Sequence, residues 1–564
     1  MENTTTTAKY FTKTNGKTDE VLLSVKMAAQ SISDVVAKTA GPFGSNVMLI
    51  NGANCRITKD GITVLRYIVE PETEADKIAL SVIRSASDET NRKAGDGTTA
   101  TCILANEVFQ QGYQFLTAGL NGNLLRNGIV KASGIAQKMV VDSLSTPIKD
   151  DKDIYNVAKV SANGSDEIAK ILTDVFSKIG KDGVARVELS NTDKTSSRIV
   201  YGMTIDRGYE SPYFANNPHG EAVLDNPVIV LVNKRLSVLG ELLKPFEALA
   251  KLNRPILVVA EGYDQDVLNT FAVNKMRGLP ICAILAPNYG DHRTKMMEDL
   301  AVITGGKVIS PATGISLDQI ATDYTILGSA KQVIVTADST SFIADTTKIE
   351  KERFDARVAE IEHELEDEKL TDYDRNILKT RKARMVSGIG IISVGGATEA
   401  EMHEKKDLVD DAFASVSSSL KKGMCPGAGL TYLAVHDALY EWLSKHIGEM
   451  SQEEASGFRI FADSLVKPFL TICGNSGNQN AQYALGCIQN ANRSEHQQDK
   501  ELRPWTKCVD FSSGEMIDVI ERGVVDSAAA VIETMKNGAS AGAQLLSLAG
   551  WVSTPPKPQV QTQM

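Results

Sequence analysis

The sequence predicts a multi-domain protein in which mostly α-helical segments flank a central α/β unit. At roughly 150 residues per domain, a chain of 564 residues has room for about three or four domains and is too long for a single hydrophobic core. Apolar residues recur at helical spacing on both sides of the middle of the chain. The middle itself contains short β-branched runs between helical stretches.

Composition and charge exclude several classes of protein. Hydrophobic residues make up 42% and charged residues 23% of the chain, which is typical of globular proteins and excludes wholesale disorder. The net charge of -11 gives no reason to expect nucleic acid or an anionic membrane as a partner. We expect a cytoplasmic protein, because the chain shows neither a membrane-length apolar run nor a signal sequence. The cysteines form no C-x-x-C pair, so no zinc ribbon or redox motif is predicted.

The first hundred residues contain two predicted helices separated by glycine-rich turns. Apolar residues at helical spacing from 21 to 38 predict the first helix, which the pair Gly41-Pro42 ends. A second helix is predicted to begin near Thr98, directly after the turn Gly95-Asp96-Gly97. The turn therefore stands at the N-terminus of a helix.

The rest of the chain alternates predicted strands with amphipathic helices. Leucine-rich spacing predicts helices over 236–249 and 267–272. A charged helix over 348–370 has a narrow apolar stripe and is expected to pack as an antiparallel hairpin. A helix over 399–422 places Asp411 on the face opposite its apolar residues. The predicted strands are 222–232, 255–260, 281–286, 307–310 and 332–336.

Three glycine-containing turns are the candidates for chemistry, although each by itself is more often a bare turn. In the third turn, glycines let phosphate oxygens approach the backbone, and the following helix N-terminus offers free N–H groups. Asp96 can hold Mg²⁺ against the same oxygens, so ATP is the predicted ligand. Neither a Walker P-loop nor a strand-borne Rossmann motif occurs. The turns are Gly41-Pro42-Phe43-Gly44, Thr58-Lys59-Asp60-Gly61 and Gly95-Asp96-Gly97-Thr98-Thr99.

These turns resemble the nucleotide site of the chaperonins, and further segments resemble their bacterial-type (GroEL) branch. The resemblance runs in order from about residue 20 to residue 550. On this basis the chain is identified as a divergent member of that family. The further segments are Gly202-Met203-Thr204-Ile205-Asp206-Arg207-Gly208-Tyr209, Ser211-Pro212-Tyr213-Phe214, Met276-Arg277-Gly278, Gly305-Gly306, Ala397-Thr398-Glu399 and Glu404-Lys405-Lys406.

The resemblance implies a subunit of three domains that is folded back on itself. A mostly α-helical equatorial ATP domain forms from both chain ends, and a small α/β intermediate domain connects it to an α/β apical domain. Pro147 and Gly423 match the lower hinge, and Gly202 and Gly388 match the upper one. The implied boundaries are 1–146 and 423–564 for the equatorial domain, with a disordered tail from about 552, 147–201 and 389–422 for the intermediate domain, and 202–388 for the apical domain.

The resemblance also implies an ATPase that uses Mg²⁺ and K⁺. Asp96 would bind Mg²⁺, while Asp60 and Asp411 would orient the attacking water. Asp411 would arrive only when the intermediate domain closes, so closure would gate hydrolysis. Thr39, Lys59 and Thr99 would lie near K⁺. The implied cofactor-binding residues are Thr39, Gly41, Pro42, Lys59, Asp96, Gly97, Thr98 and Thr99, with Gly427, Val524 and Asp526 at the adenosine.

For the apical domain, the resemblance implies capture of unfolded client proteins through apolar contacts, which recognise exposure rather than sequence. The subunits would form a homo-oligomeric, seven-membered ring, single or double, in the cytoplasm of a bacterium or of a virus-infected bacterial host. Neither nucleic acid nor membrane is an expected partner, and the need for a co-chaperonin lid is left open. The implied client-binding residues are Tyr209, Tyr213, Phe214, Leu243, Phe246, Leu268, Ala272 and Val273.

The sequence departs from the family pattern at several positions. Ala100 replaces a threonine of the phosphate loop, and Glu210 replaces an apical apolar residue, which puts lid docking in doubt. Near the adenine, Gly427-Ala428-Gly429 replaces three glycines. Leu470 and Gln479 replace an arginine and a glutamate that bridge two stacked rings, and the loss of both charges makes a single or separable ring credible beside a double one.

Two other functions stay open on the sequence. A non-hydrolysing holdase or structural ring would bind nucleotide without cleaving it, and the presence of Asp60, Asp96 and Asp411 argues against that reading. A phosphotransferase is the weaker alternative, because the sequence shows no separate pocket for a phosphoryl acceptor.

Overall fold

The chain divides into two compact units: unit 1 is Met1–Thr173 with Gly396–Met564, and unit 2 is Asp174–Gly395. Unit 1 is mostly helical and unit 2 is α/β, as the sequence predicts. The finer division into five segments stays a prediction. The computed structural model describes residues 9–12, 20–51, 54–68, 73–181, 183–190, 192–217, 220–345, 351–367, 370–386, 388–477, 480–496, 502–548 and 550–553.

Several helices begin at local capping signals in the sequence. Thr73 and Asp76 form a capping box at the start of one helix, and Ser451 and Glu454 form another. No helix of the described ranges is both long and apolar enough to cross a lipid bilayer. The α-helices are α1 (Glu20–Ala37), α2 (Gly61–Tyr67), α3 (Glu74–Ala94), α4 (Thr98–Thr117), α5 (Gly122–Met139), α6 (Asp151–Ser161), α7 (Asp166–Ile179), α8 (Leu239–Ala250), α9 (Gln265–Met276), α10 (Gly290–Thr304), α11 (Lys351–Leu365), α12 (Asp372–Val386), α13 (Glu399–Lys422), α14 (Leu430–His446), α15 (Gln452–Ser464), α16 (Lys467–Asn475), α17 (Ala481–His496) and α18 (Ala528–Leu546).

The strands of unit 2 form three sheets, and those of unit 1 form short two-stranded pairs. The strands are β1 (Lys9–Thr12), β2 (Val47–Asn51), β3 (Asn54–Thr58), β4 (Val184–Leu189), β5 (Ser196–Val200), β6 (Gly202–Ile205), β7 (Ala222–Asp225), β8 (Val228–Leu236), β9 (Ile256–Tyr263), β10 (Ile281–Leu285), β11 (Val308–Ile309), β12 (Gly328–Ser329), β13 (Gln332–Val335), β14 (Thr340–Ile343), β15 (Ile389–Val394), β16 (Met424–Pro426), β17 (Lys507–Val509), β18 (Met516–Asp518), β19 (Val525–Ser527) and β20 (Gly550–Ser553).

The core of unit 1 is built around α18, which packs against α3, α4 and α5. Glycines on α18 let it approach α4 closely: a Cβ at Gly542 would lie 2.7 Å from Val108 Cβ, and one at Gly538 would lie 3.1 Å from Leu104 Cβ. Because α4 and α18 run side by side, the loops that precede them are held together.

The core of unit 2 is a sheet in which β10, β9, β8 and β11 follow one another as parallel neighbours, and β12 pairs antiparallel with β8. Its strands are continuous apolar runs, because helices cover both faces of such sheets. A second, antiparallel sheet has the order β6-β14-β13-β7, and a third has the order β4-β15-β5. The apolar sides of α8, α9 and α10 face the core of the unit.

Most predicted elements are found within a few residues of their expected bounds, and α13 matches 399–422 at both ends. The run 222–232 was expected to be one strand and is two, because Pro227 has no N–H to donate and Asn226 has a φ of 48°. The charged helix is α11, which packs against α12 as the predicted hairpin.

The predicted disordered tail from about 552 stays a prediction, and the last described residues form a strand that was not predicted. Strand β20 continues to Ser553, and it pairs antiparallel with β1, with Val552 opposite Tyr10. The partner strand lies at the other end of the chain, so no local signal reveals it. Residues 554–564 lie outside the described residues.

At each of the two predicted hinges, two segments of the chain that are distant in sequence are in contact. At the lower one, a Cβ on Gly423 would lie 2.6 Å from the Thr146 carbonyl oxygen, directly before Pro147. At the upper one, a Cβ on Gly388 would lie 2.6 Å from the Val200 carbonyl oxygen. Gly423 (φ 86°) and Gly388 (φ 68°) have backbone conformations that favour glycine. Their role as hinges stays a prediction.

Unit 2 also contains a buried ion cluster. The Asp299 carboxylate is fully buried and accepts hydrogen bonds from Arg381 Nε at 2.8 Å and from Arg381 Nη2 at 2.9 Å. Arg357 Nε donates to the same carboxylate at 2.7 Å. The cluster ties α10 to both helices of the charged hairpin.

Removal of the central charge should destabilise unit 2 strongly. We expect Asp299→Ala to cost about 3–5 kcal/mol, because two guanidinium groups lose their buried partner. The matched control is Lys382→Ala, which breaks an exposed pair with Glu362 and should cost less than about 1 kcal/mol. The free energy of unfolding of unit 2 in both variants is measured by native-state amide hydrogen exchange of β9 at increasing urea concentrations. Equal exchange rates in the two variants would contradict a stabilising role for the cluster.

Candidate functional site

Several of the described helices of unit 1 begin without a side-chain cap, and three of these begin next to residues that the sequence predicts at the nucleotide. Helix α4 begins after Gly97, α14 after Gly429 and α18 after Ser527, and none of these three residues makes a side-chain capping bond. The starts of α4 and α18 are adjacent, because a Cβ at Gly97 would lie 3.3 Å from the carbonyl oxygen of Ala530, in the first turn of α18. Uncapped N-termini attract anions such as phosphate. This corner of unit 1 therefore suits an anionic ligand.

The turn before α4 is shaped by two glycines and covered by α13. Gly95 (φ 72°) ends α3 and Gly97 (φ 85°) precedes α4, and both have the left-handed conformation that favours glycine. A Cβ at Gly95 would lie 2.1 Å from Ala414 Cβ, so only glycine lets α13 come this close. The packing brings the part of α13 that carries Asp411 to the turn.

Asp96 lies between these two glycines, and both of its carboxylate oxygens accept hydrogen bonds. The Gly97 N–H donates to Oδ1 at 2.6 Å, and Ser161 Oγ donates to Oδ2 at 2.8 Å. Burial raises the pKa of Asp96, the two hydrogen bonds oppose that shift, and the charge of Asp60 adds to it. Each oxygen keeps a further lone pair, so the carboxylate can still bind a cation.

Asp60 and Asp411, which the sequence predicts to orient water, both lie near Asp96. Asp60 caps α2, and its carboxylate accepts from the N–H groups of Ile62 at 3.2 Å and Thr63 at 3.0 Å. Asp411 is half-buried, and burial together with the charges of Asp60 and Asp96 raises its pKa well above the usual value. Mutually repelling carboxylates of this kind are typical of a functional site.

The donor set suits Mg²⁺ better than a metal held by protein alone. Among the residues that the structure describes, no cluster of three or more His, Cys, Asp or Glu side chains could hold a metal ion. Mg²⁺ commonly takes one or two carboxylates, several waters and the phosphates of its substrate. Asp96, at the mouth of an uncapped helix, fits that pattern.

The loop that carries Thr39, Gly41 and Pro42 is fixed from two sides. Asn475 Nδ2 of α16 donates to the carbonyl oxygen of Ala37, the last residue of α1, at 2.8 Å and to that of Ala40 in the loop at 2.9 Å. Lys59 Nζ donates to the Pro42 carbonyl oxygen at 3.2 Å, and burial lowers the pKa of that lysine. Thr39 is buried and Gly41 has a φ of 78°.

The hydroxyl residues at the start of α4 lie against the neighbouring turn. Thr98 is buried and Thr99 is half-buried. A Cβ at Gly61 would lie 2.3 Å from Thr99 Oγ1, so the second and third glycine turns are in contact. All the predicted phosphate, Mg²⁺ and K⁺ residues thus lie on elements of one unit.

The residues predicted at the adenosine lie where β16 pairs with β19. The Gly427 N–H donates to the Val524 carbonyl oxygen at 3.0 Å, and a Cβ at Gly427 would lie 3.2 Å from Asp526 Oδ1. Burial and the charge of Asp96 raise the pKa of Asp526 to about 7. Ala428 has a φ of 55°, a conformation that is uncommon for a residue with a Cβ.

Four polar residues of this region were not predicted from the sequence. Ser161 donates to Asp96, and Ser415 of α13 lies next to Ser161. Thr534 Oγ1 donates to the Gly97 carbonyl oxygen at 3.2 Å. Burial and the charges of nearby aspartates raise the pKa of the Tyr432 phenol. No spacing signal reveals these residues, because each comes from a segment distant in sequence.

The positions predicted to bind clients lie on α8, α9 and the loop before β7, all in unit 2. Tyr213 is 70% exposed, Leu243 63% and Val273 39%. Phe246 is half-buried against Phe271, with ring centroids 4.8 Å apart. Tyr209, Leu268 and Ala272 are also half-buried.

Two residues of this surface differ from the expectation. Phe214 was predicted to face clients but is only 1% exposed. Its turn is held down by Lys275 Nζ, which donates to the carbonyl oxygens of Tyr213 and Ala215 at 2.8 and 2.6 Å, and the ring joins the core of unit 2. Met276 was not predicted and is 72% exposed, one turn after Val273 on α9.

The residues that depart from the family pattern lie in different surroundings. Ala100 is half-buried in the first turn of α4. Glu210 is exposed, and partial removal from water raises its pKa while Arg207 opposes that shift. Leu470 packs against the core of unit 1. Gln479 lies outside the described residues.

Comparison with known proteins gives a consistent result. The profile of the TCP-1/cpn60 chaperonin family matches residues 32–244 and 239–553. Two crystal forms of the chaperonin gp146 from the bacteriophage EL 2 (Pseudomonas aeruginosa), crystallised in the presence of ATP-BeFx, have a similar fold. One is 20% identical with a TM-score of 0.65, and the match covers 94% of this chain and 98% of the phage chain. The other is 19% identical with a TM-score of 0.60, and the match covers 95% of this chain and 98% of the phage chain.

The raised pKa of Asp526 predicts how stability depends on pH. Between the ordinary value of 3.8 and about 7, the folded protein keeps a proton that the unfolded chain has lost, so stability falls as the pH rises through this window. We expect the nucleotide-free protein to lose on the order of 2 kcal/mol from pH 5 to pH 8 at this residue.

The test measures the free energy of unfolding of wild type and of Asp526→Asn in urea. Unfolding is monitored by the fluorescence of Trp505, which is buried in the same unit. The stability of the variant relative to wild type should increase by about 2 kcal/mol from pH 5 to pH 8, because the asparagine side chain does not titrate. A parallel decline in both proteins would show that another group is responsible.

Proposed function

The chain belongs to the TCP-1/cpn60 chaperonin family as a divergent GroEL-like member, and from this premise we propose that it hydrolyses ATP to time the capture and release of non-native proteins. In this proposal its subunits assemble into a seven-membered ring, single or double, that encloses the client. The location would be the cytoplasm of a bacterium or of a virus-infected bacterial host.

One observation carries the proposal: α13 packs directly on the turn that holds Asp96. The close approach at Gly95 brings Asp411, from a segment more than three hundred residues away, within electrostatic reach of Asp60 and Asp96. Neighbouring carboxylates repel one another, so their convergence in one place needs a functional reason. A phosphate-binding site that must also activate water supplies that reason.

The proposed roles of the residues follow from their surroundings. The free N–H groups at the start of α4, with Gly41, Pro42, Thr98 and Thr99, would hold the phosphates. Asp96 would hold Mg²⁺, which supplies neutralisation of phosphate charge when it is bound. The pKa of Asp411 is raised well above its usual value by burial and by neighbouring carboxylates, which suits a group that accepts a proton from the attacking water, with Asp60 orienting the same water.

The remaining site residues would bind the rest of the nucleotide and a monovalent cation. Gly427, Val524 and Asp526 form the corner that would receive adenosine. A side chain at position 427 would fill the space beside the Asp526 carboxylate, and glycine leaves that space open. Thr39, Lys59 and Thr99 would lie around K⁺. The ATP-BeFx used with the phage chaperonin supports a nucleotide as the ligand of this fold.

For client capture we propose the exposed side of α8 and α9 in unit 2. Leu243, Val273 and Met276 expose apolar surface there, while Phe246 packs between the helices against Phe271. Exposed apolar side chains on neighbouring helices are suited to bind the apolar segments of an unfolded chain. Tyr213 adds an exposed aromatic ring.

The first experiment tests hydrolysis. We expect Asp411→Ala to lower steady-state ATP turnover by about 100-fold, because a general base is lost. Nucleotide affinity, measured by calorimetry, should change little. The control is Asp410→Ala, which removes the adjacent carboxylate that pairs with Lys406 at 2.9 Å, and it should keep most of the turnover.

The outcomes separate the candidate functions. Unchanged phosphate release in Asp411→Ala would remove Asp411 from the mechanism. No phosphate release by wild type, with nucleotide still bound, would favour a non-hydrolysing holdase or structural ring.

The second experiment tests capture. We expect the double variant Leu243→Ser and Met276→Ser to bind a chemically denatured client at least about 30-fold more weakly, since each side chain contributes about 1–2 kcal/mol when buried. Both side chains are mostly exposed, so the subunit should fold normally. The control Val386→Ser alters an apolar residue of the same unit that is 55% exposed on α12. Equal loss in the control would point to another binding face.

A further inference from the structure

A chain of hydroxyl groups joins α13 to the carboxylate of Asp96. Ser161, the last residue of α6, has its Oγ 2.8 Å from Asp96 Oδ2 and 2.8 Å from Ser415 Oγ. Ser415 lies on α13, and its side chain is fully buried. Three segments that are distant in sequence therefore meet through two hydrogen bonds.

The chemistry of the groups fixes the direction of this relay. An ionised carboxylate only accepts hydrogen bonds, so the single proton of the Ser161 hydroxyl goes to Asp96. Ser161 Oγ then has only lone pairs to offer, and Ser415 must donate to it. The order of donation is Ser415 to Ser161 to Asp96. A donor that itself accepts a hydrogen bond is a stronger donor, so Ser415 strengthens the bond made to the carboxylate.

The position of Ser415 on α13 matters for the proposed reaction. Ser415 follows Asp411 by four positions, about one helical turn, so both lie on the same side of the helix. An arrangement of α13 that completes the relay is therefore the same arrangement that holds Asp411 near Asp60 and Asp96. Undocking of α13 would break the bond between the two serines.

We propose that Ser415 and Ser161 are positioning residues that couple the docking of α13 to ligand binding at Asp96. The proposal rests on the proposed function, because it takes Asp96 as the residue that meets Mg²⁺ and nucleotide. Coupling of this kind is reciprocal: ligand at Asp96 stabilises docked α13, and docked α13 improves ligand affinity by the same factor.

A second serine of α13 provides a matched comparison. Ser418 Oγ lies 3.1 Å from the Ala94 carbonyl oxygen, 2.9 Å from the Ser415 carbonyl oxygen and 2.9 Å from Ser527 Oγ. The contacts with Ala94 and Ser527 also hold α13 against its neighbours, but they do not reach the Asp96 carboxylate. Loss of Ser418 should weaken docking without weakening the coupling.

The experiment measures amide hydrogen exchange of α13 in the full chain, with and without saturating ADP and Mg²⁺. In wild type, the nucleotide should slow the exchange, and we call the ratio of the exchange rates without and with nucleotide the slowing factor. In Ser415→Ala and Ser161→Ala, we expect this slowing factor to shrink by about 3- to 10-fold, the equivalent of one hydrogen bond. Ser161→Thr keeps the hydroxyl and should restore the wild-type factor. Ser418→Ala should exchange faster in both conditions while its slowing factor stays as in wild type.

Calorimetry with ADP and Mg²⁺ distinguishes the two proposals. If wild type binds no ADP with Mg²⁺, the proposed function fails and the relay loses its role with it. If wild type binds ADP but Ser415→Ala keeps the full slowing factor, or Ser418→Ala loses as much of it as Ser415→Ala, only the relay is overturned. Thermal unfolding confirms that each variant is folded. If Ser161→Ala does not fold, Ser161→Thr and Ser415→Ala still test the relay.

Discussion

The contact between Gly95 and Ala414 is the constraint on which the candidate site depends. A side chain at Gly95 would overlap Ala414 at 2.1 Å, and the left-handed backbone of the turn is itself suited to glycine. Because this position is glycine, a long helix from the second half of unit 1 lies on the turn before α4. The position of Asp411 and the relay through Ser161 both follow from that single close approach.

The electrostatics of the site are the cost of this arrangement. Burial and mutual repulsion raise the pKa of Asp96, Asp411 and Asp526, so the ionised carboxylates are less stable at this site than they are in water. The same groups would be stabilised by a cation, whose charge favours ionised carboxylates. Stability that is given up at the site is therefore available as binding free energy for a positively charged ligand. The buried ion cluster of Asp299 in unit 2 is the opposite case, since its charges are already paired.

Sequence reasoning was accurate where the signal is local. The start of α4 at Thr98 and both ends of α13 were predicted from periodicity and flanking turns. It was wrong where long-range packing decides, because Phe214 lies inside rather than on the client surface, and it did not reveal that β20 pairs with β1. Aromatic residues in an exposed loop motif look alike in sequence whether their rings point inwards or outwards, and strand pairing between chain ends leaves no local trace.

The sequence by itself determined the helices, the glycine turns and the acidic residues that carry the proposed chemistry, because spacing and turn chemistry act over a few neighbouring residues. Tertiary structure alone decided which of these come together. Ser161 and Ser415 are ordinary helical serines in the sequence, and their link to Asp96 exists only because α6 and α13 fold against the same turn. Hydrogen bonds act over about 3 Å in space, whatever the distance along the chain.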